Sequence, residues 1–550
     1  MYLNEYSKWK NNRNLDKELK KELLLMNDQE LIESFSTNLE FGTGGLRGIM
    51  GPGTNRVNIY TIRKATIGFA NYLINQHKTN GVAISFDNRH NSREFAFEAA
   101  KVLTTKNIPV FLFKNLRPTP MLSYAVRHFG LSGGIMITAS HNPKEYNGYK
   151  AYNELGGQLI TEEANLVIDY VNKVDNFFDD FKLNKALLTI IDEDFDNIYL
   201  NEVKKISLND DQKIVKVLYS PLHGTGGTVI PKLLNSLNFN VKVVDEQMVV
   251  DPNFSKSKSS NPEEKEAFEL ALLYADTVKP DLILLTDPDT DRLGAAFLHN
   301  NDYELLNGNQ ISVILINYIL ENYKSLEKGF IYKTIVTTNL IDAIVKKYSN
   351  IQLVETLTGF KYIVHEAEQN KNLGNFLFGC EESYGFLVND FVRDKDAVQA
   401  ALLLTELTNH LKNKGLTVID YLNNIFELNG FYYEHTESIE LKGLDGKEKI
   451  NTIMTHFRKN NLNIDSFKVD HYDDYLNQVS KKDGKETKLK FEPSNVLKFY
   501  NEQGEWIVLR PSGTEPKIKI YFSVKDQSTL LAKNKAFNLL TEINEILDKL

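Results

Sequence analysis

The chain has 550 residues, 42% of them hydrophobic and 25% charged, with a formal net charge of -9. That length exceeds what a single growing core supports, so roughly three to four domains are expected, and the ordinary apolar content argues against a disordered chain. The acidic balance excludes the dense basic face of a nucleic-acid binder, and no membrane partner is expected. The apolar run at 311–316 stops at Asn317, far short of the roughly 20 residues of a membrane span, and reads as a buried helix.

In chain order, the first forty residues look helical and form a packed extension. Lys8, Lys10 and Arg13 interrupt any signal-like apolar stretch there, and Cys380, the only cysteine, has no intrachain partner for a disulfide. A reducing cytoplasm is the expected compartment. Short β-rich apolar runs follow at 82–85, 110–113, 135–138, 215–218, 282–285 and 375–378, separated by amphipathic stretches such as 93–103 and 262–275. This alternation predicts α/β units with largely parallel sheets. Three of the strands lead into polar loops, at Ser140, Asp287 and Glu381. Ligands of open α/β sheets bind beyond the carboxyl ends of strands, so three similar units can present these loops to one cleft. Breaks near 192–211, 323–328 and 430–449 divide the chain into 1–205, 206–322, 323–440 and 441–550. Within 441–550, strands at 506–509 and 517–522 flank a polar turn before a closing helix from about Ser528, which reads as a smaller α+β domain.

The loop Thr138-Ala139-Ser140-His141-Asn142-Pro143 follows an apolar strand. Pro143 biases Asn142 away from helix, which predicts an extended loop exposing Ser140. A serine needs activation to attack, and Arg47 and Lys150 can supply positive charge around it. Taken alone, a serine in this place reads as a turn hydroxyl. Ser132, between Gly130 and Gly134, imitates a hydrolase nucleophile elbow, but its turn precedes a strand instead of following one. Asp287, Asp289 and Asp291 alternate on one loop after a buried-type strand, where Pro288 forbids regular helix. Three such oxygens suit Mg²⁺, which keeps positions for water or phosphate. An EF-hand is excluded, because Arg292 would occupy its glycine position and Leu298 its glutamate position. The alternative, a solvated acidic turn, crowds three like charges.

In Gly379-Cys380-Glu381-Glu382-Ser383-Tyr384-Gly385 an extended backbone would point Glu381 and Ser383 to one side, where they can bind neighbouring sugar hydroxyls; a helix-capping turn is the other reading. Arg510, Ser512, Gly513 and Thr514 offer a guanidinium fork, two hydroxyls and a close backbone approach, the ingredients of a phosphate nest, against the alternative of a tight hairpin turn.

At these four loops the chain resembles the α-D-phosphohexomutase family nearly end to end, in the expected order. Leu357-Thr358-Gly359-Phe360-Lys361 and the Glu-Glu-Ser-Tyr form of the sugar loop are similar to its phosphoglucomutase and phosphopentomutase branches, and the length fits the glucose branch. The resemblance implies three similar α/β domains and a smaller C-terminal α+β domain around a central cleft. It also implies a phosphoserine at Ser140, with Mg²⁺ held by that phosphate, Asp287, Asp289 and Asp291. Thr358, Gly359, Glu381 and Ser383 would hold the sugar, and Arg510, Ser512, Gly513 and Thr514 the non-reacting phosphate. Lys150 and Lys395 are implied in proton transfer and charge stabilisation, Arg292 is expected to bind substrate, and Arg47 and Arg292 have an electrostatic task beside the phosphoserine. The expected reaction interconverts glucose 1-phosphate and glucose 6-phosphate through bound glucose 1,6-bisphosphate. Mannose or pentose phosphates are the alternatives within the family; outside it stand a metal-dependent sugar phosphatase and a non-catalytic sugar-phosphate sensor. The sequence assigns no oligomeric state.

Overall fold

The computed structural model describes residues 2–42, 44–441, 446–511 and 517–550. Two compact units emerge: one runs up to Gly308 and includes Phe360–Val418, the other holds Asn309–Gly359 and Ile419–Leu550.

The N-terminal extension is three helices, Tyr2–Asn11, Lys17–Leu25 and Asp28–Phe35. Their starts are written locally: Asp16 accepts from the amides of Glu18 and Leu19, and Asn27 with Glu30 closes a capping box, each satisfying amides that a helix leaves orphaned. What docks the extension is Trp9. Its ring meets Phe35, Tyr60 and Phe178 edge-on at 5.4–5.8 Å, and burying an aromatic of this size stabilises by roughly 1.5–3 kcal/mol.

Behind it lies a six-stranded sheet whose centre is parallel: Gly133–Ile137 beside Val82–Phe86 beside Val110–Phe113 beside Leu188–Ile191. Tyr146–Tyr152 and Leu46–Ile49 add antiparallel strands at one edge. The second sheet repeats this plan, with Leu282–Thr286, Lys216–Ser220 and Asn240–Val243 parallel and Leu293–His299 and Asp302–Leu306 antiparallel. In the second unit Gly329–Thr334 pairs with Ile351–Thr356 in parallel, and in the first unit Asn375–Glu381 pairs with Gly385–Leu387 antiparallel. The sheets are thus mixed where largely parallel ones were expected. The reason is local: each strand that leads into a polar loop is followed by a strand that turns straight back, and a short return can only pair antiparallel. The C-terminal sheet has seven antiparallel strands, covered by Gly446–Asn460 and by Thr529–Leu547 with Ser528 as its cap.

Strands at 82, 110, 282 and 375 start where the apolar runs place them. The helix expected over 262–275 is shorter, Glu269–Val278 after a 3₁₀ turn Lys265–Phe268, because Asn261, Pro262 and Glu263 form a turn directed at Arg292. The apolar run at 311–316 lies inside the helix Gly308–Asn322. Among the described residues no helix is long and apolar enough to cross a membrane.

Candidate active site

Ser140 stands just past the fully buried strand Gly133–Ile137. Its backbone is left-handed, φ 53°, uncommon for a residue with a Cβ, and Thr138 Oγ1 accepts its amide at 2.8 Å. The side chain is therefore aimed along a turn, not displayed on an extended loop, and the residue is only 3% exposed. Expectation and structure differ because the loop is covered by the next functional loop: Ser140 Oγ donates to Asp287 Oδ2 at 2.8 Å. His141 Nδ1 lies 3.2 Å from the same Oγ; burial, then Arg292 and Arg47, hold that imidazole well below its usual range, so it is neutral. Ser132, the rejected nucleophile, is buried and accepts the amide of Asn80.

The aspartate loop leaves the strand Leu282–Thr286 at the matching place in the second sheet, again through a left-handed residue, Thr290 at φ 59°. Thr225 fixes it, its amide donating to Pro288 O at 2.8 Å and its hydroxyl meeting that of Thr290 at 2.7 Å. A Cβ on Gly224 would stand 2.4 Å from Pro288 Cα, so only glycine allows the loop to lie this close. Asp287, Asp289 and Asp291 are all buried, with one oxygen of each within 4.8 Å of the others. Asp289 Oδ2 accepts from Thr119 Oγ1 at 2.9 Å and Lys150 Nζ at 2.6 Å. Asp291 Oδ2 lies 3.0 Å from Lys150 Nζ and 3.3 Å from Lys395 Nζ. Asp289 Oδ1 and Asp291 Oδ1 are buried with no hydrogen-bond partner among the described residues, the condition a native interior avoids unless something else fills it. Burial, then Asp289 and Asp291, push Asp287 well above the carboxylate range. Burial would raise Asp291 too, but Lys150, Lys395 and Arg292 hold it far below. An all-oxygen set with unsatisfied lone pairs fits a hard divalent cation.

The loop after Asn375–Glu381 closes the same way. Asn375–Glu381 turns back into Gly385–Leu387 with Glu381 opposite Gly385, through a turn at 382–384 in which Tyr384 is left-handed. The extended presentation of Glu381 and Ser383 is thereby corrected: the antiparallel return forces a turn, and the two-residue alternation ends at Glu381. Tyr384 O accepts Leu293 N at 3.1 Å, tying this loop to the aspartate loop. Gly385 leaves room for Lys395, whose Cδ would be 2.3 Å from a Cβ placed there. Asp394 steers Lys395, accepting its amide at 2.8 Å and its Nζ at 3.2 Å, and is itself held by Tyr152 OH and Gln158. Arg292 forms an ion pair with Glu263.

Arg47, on Leu46–Ile49, donates to Asn142 Oδ1 at 2.9 Å and is exposed. The structure thus brings Ser140, Arg47, Lys150, Asp287, Asp289, Asp291, Arg292, Glu381, Ser383 and Lys395 into one unit. In the other unit, Thr358 Oγ1 is buried with no partner among the described residues, and Gly359 has φ 124°. Arg510 lies on Trp506–Pro511 and donates to Tyr521 OH at 3.3 Å. Ser512, Gly513 and Thr514 lie outside the described residues. Sequence reading missed Thr119 and the pair Asp87 and Arg89. The latter had a usable signal, since Asp87-Asn88-Arg89 also follows a strand end, Val82–Phe86.

Four sequence models match in order: phosphoglucomutase/phosphomannomutase alpha/beta/alpha domain I over 38–177, domain II over 197–300, domain III over 307–427, and the C-terminal domain over 468–536. The chain is 40% identical over 507 residues to a phosphoglucomutase of Staphylococcus aureus (strain MRSA252), covering 90% of this chain and 92% of that one. It is 39% identical over 502 residues to a phosphoglucomutase of Staphylococcus haemolyticus, covering 90% and 91%. Among solved structures, the open form of parafusin, a phosphoglucomutase from Paramecium, superposes with a TM-score of 0.68 at 20% identity, covering 93% and 95%. A phosphoglucomutase/phosphomannomutase family protein from Burkholderia thailandensis gives 0.67 at 15%, covering 92% and 97%. At these identities the structural likeness is one of fold.

Proposed function

Because the chain belongs to the phosphoglucomutase/phosphomannomutase family of phosphosugar isomerases, we propose that it interconverts glucose 1-phosphate and glucose 6-phosphate, with Ser140 as the phosphoryl carrier. The observation that carries this reading is the 2.8 Å bond from Ser140 Oγ to Asp287 Oδ2, which sets the serine hydroxyl of that loop against the buried aspartate cluster. Glucose is preferred to mannose or pentose because the curated relatives that match over nine-tenths of the chain are phosphoglucomutases.

The phosphoryl group on Ser140 passes to the free hydroxyl of the bound sugar phosphate. The bond from phosphorus to Ser140 Oγ breaks, one to the sugar oxygen forms, and the hydroxyl proton leaves to a base. The product, glucose 1,6-bisphosphate, turns over in the site and returns its other phosphoryl group to Ser140. Such transfer depends mainly on positioning and charge neutralisation. Lys150 and Lys395, each facing Asp291, remain ammoniums and offset the charge of the phosphoryl oxygens. Arg47 and Arg292 extend that positive field. Asp287, Asp289 and Asp291 would hold a divalent cation such as Mg²⁺, which would supply further charge neutralisation for the transfer. Within the unit that carries Ser140, Glu381 and Ser383 are assigned to the sugar hydroxyls.

The test pairs a coupled glucose-6-phosphate dehydrogenase assay with a phosphate-release assay and peptide mapping. Phosphate on Ser140, isomerisation without phosphate release, and near-complete loss of turnover in Ser140→Ala are expected. Phosphate release matching substrate loss would identify a phosphatase instead, and an active Ser140→Ala enzyme would remove the carrier.

A further inference from the structure

Arg89 follows the strand Val82–Phe86, the parallel neighbour of the strand that leads to Ser140. Its guanidinium donates to four main-chain carbonyls of the serine loop: Ser140 O at 2.6 Å, Asn142 O, Pro143 O at 2.8 Å and Tyr146 O at 3.1 Å. The group is itself immobilised. Asp87 Oδ2 lies 3.3 Å from its Nε, Asp87 Oδ1 accepts the Arg89 amide at 3.0 Å and Ser92 Oγ at 2.7 Å, and Phe254 lies beneath the guanidinium at 5.2 Å. Arg89 is 4% exposed and Asp87 2%.

Carbonyls in a polar loop ordinarily turn to water or to neighbouring amides. Here four of them within seven residues converge on one planar cation, and Ser140, the first of the four, has a left-handed backbone. We propose that Arg89 is a positioning residue for phosphoryl transfer: its fork fixes the loop in the conformation that directs Ser140 Oγ at Asp287, without touching that oxygen. A lysine retains the charge but lacks the planar fork, and cannot reach the same set of acceptors. This inference rests on the reading of Ser140 as the phosphoryl carrier.

The experiment compares full-length Arg89→Lys and Arg89→Gly enzymes with wild type, whose Ser140 phosphate is measured in parallel. For Arg89→Lys, kcat should fall about a hundredfold, the usual cost of misplacing a reacting group by about an ångström. KM for glucose 1-phosphate should stay within about threefold, since the lost interaction acts on the transfer step. Added guanidinium ion should restore some of the lost kcat in Arg89→Gly and leave Arg89→Lys unchanged, a response that a general loss of stability would not give. If Arg89→Gly does not fold, Asp87→Asn, which keeps the guanidinium and loosens its anchor, should lower kcat about tenfold at steady KM. Arg89→Lys with wild-type kcat beside a phosphorylated wild type overturns the inference alone. So does a KM rise that accounts for the whole loss. Turnover by wild type with no phosphate ever on Ser140 removes the carrier reading, and this inference with it.

Discussion

Two pairs of buried lysines invite comparison, one in each unit. Lys150 and Lys395 face Asp289, Asp291 and Asp394; Lys333 and Lys498 face Asp342 and Glu355. By burial and charge alone the two pairs look equally functional. Their acceptors separate them. Lys333 also reaches Thr338 O at 3.2 Å and Asn339 Oδ1 at 3.3 Å, and Lys498 reaches Ile335 O at 2.7 Å while lying over Trp506. Around Lys150 and Lys395, two carboxylate oxygens remain buried and unpartnered among the described residues. A perturbed buried charge is therefore weak evidence of function by itself, and the unsatisfied acceptor beside it carries the distinction.

The sharpest way to break this comparison is to neutralise each cluster. Asp291→Asn should lower kcat on the order of 10²–10³-fold, the cost of removing one preorganised charge from a transfer site, with a melting temperature near wild type. A kcat within a few-fold of wild type, or an unfolded variant, would make the aspartates structural like the other cluster. Lys498→Met should do the reverse: it leaves Ile335 O without its donor and weakens the grip on Glu355, at about 2–4 kcal/mol of stability by denaturant titration, with kcat/KM unchanged. A selective loss of activity there would erase the contrast.

Asp396 sharpens the comparison further, as a buried acid satisfied without a cation. Tyr199 OH and the amides of Val398 and Gln399 donate to it, yet burial raises it to about 6. With its folded value above the unfolded one, the native state holds a proton the unfolded chain has released. Its contribution is fully present below about pH 4 and is lost as pH rises through about 6. Asp396→Asn, which can still cap the helix Ala397–Asn413, should flatten that dependence by on the order of 2 kcal/mol between pH 4 and 7. Melting curves across that range that keep the wild-type slope would show that Asp396 is ionised throughout.

Much of the site was legible because its chemistry is local in sequence. Asp287, Asp289 and Asp291 are crowded on one loop whatever the fold does, and Ser140 and Glu381 each follow an apolar run. The turn at 382–384 was not legible: whether a chain leaving Glu381 continues extended or folds back depends on the pairing with Gly385, a contact that residue alternation does not encode. Arg89 was hidden for the same kind of reason. Its partners are main-chain carbonyls, which every residue possesses, so nothing in the loop's side chains announces the clamp.

What the sequence by itself determined is the alternation of strand and helix, the residue types at the ends of the strands, and hence the class of chemistry, because hydropathy period and side-chain functional groups are properties of short segments. Only the tertiary structure decided that Ser140 Oγ meets Asp287 Oδ2 across 147 positions of chain, that Lys395 passes over Gly385 to reach Asp291, and that two aspartate oxygens are left unpaired. Those outcomes depend on how separate sheets pack and on which donors reach which acceptors first, and such long-range competition is settled only when the chain is folded.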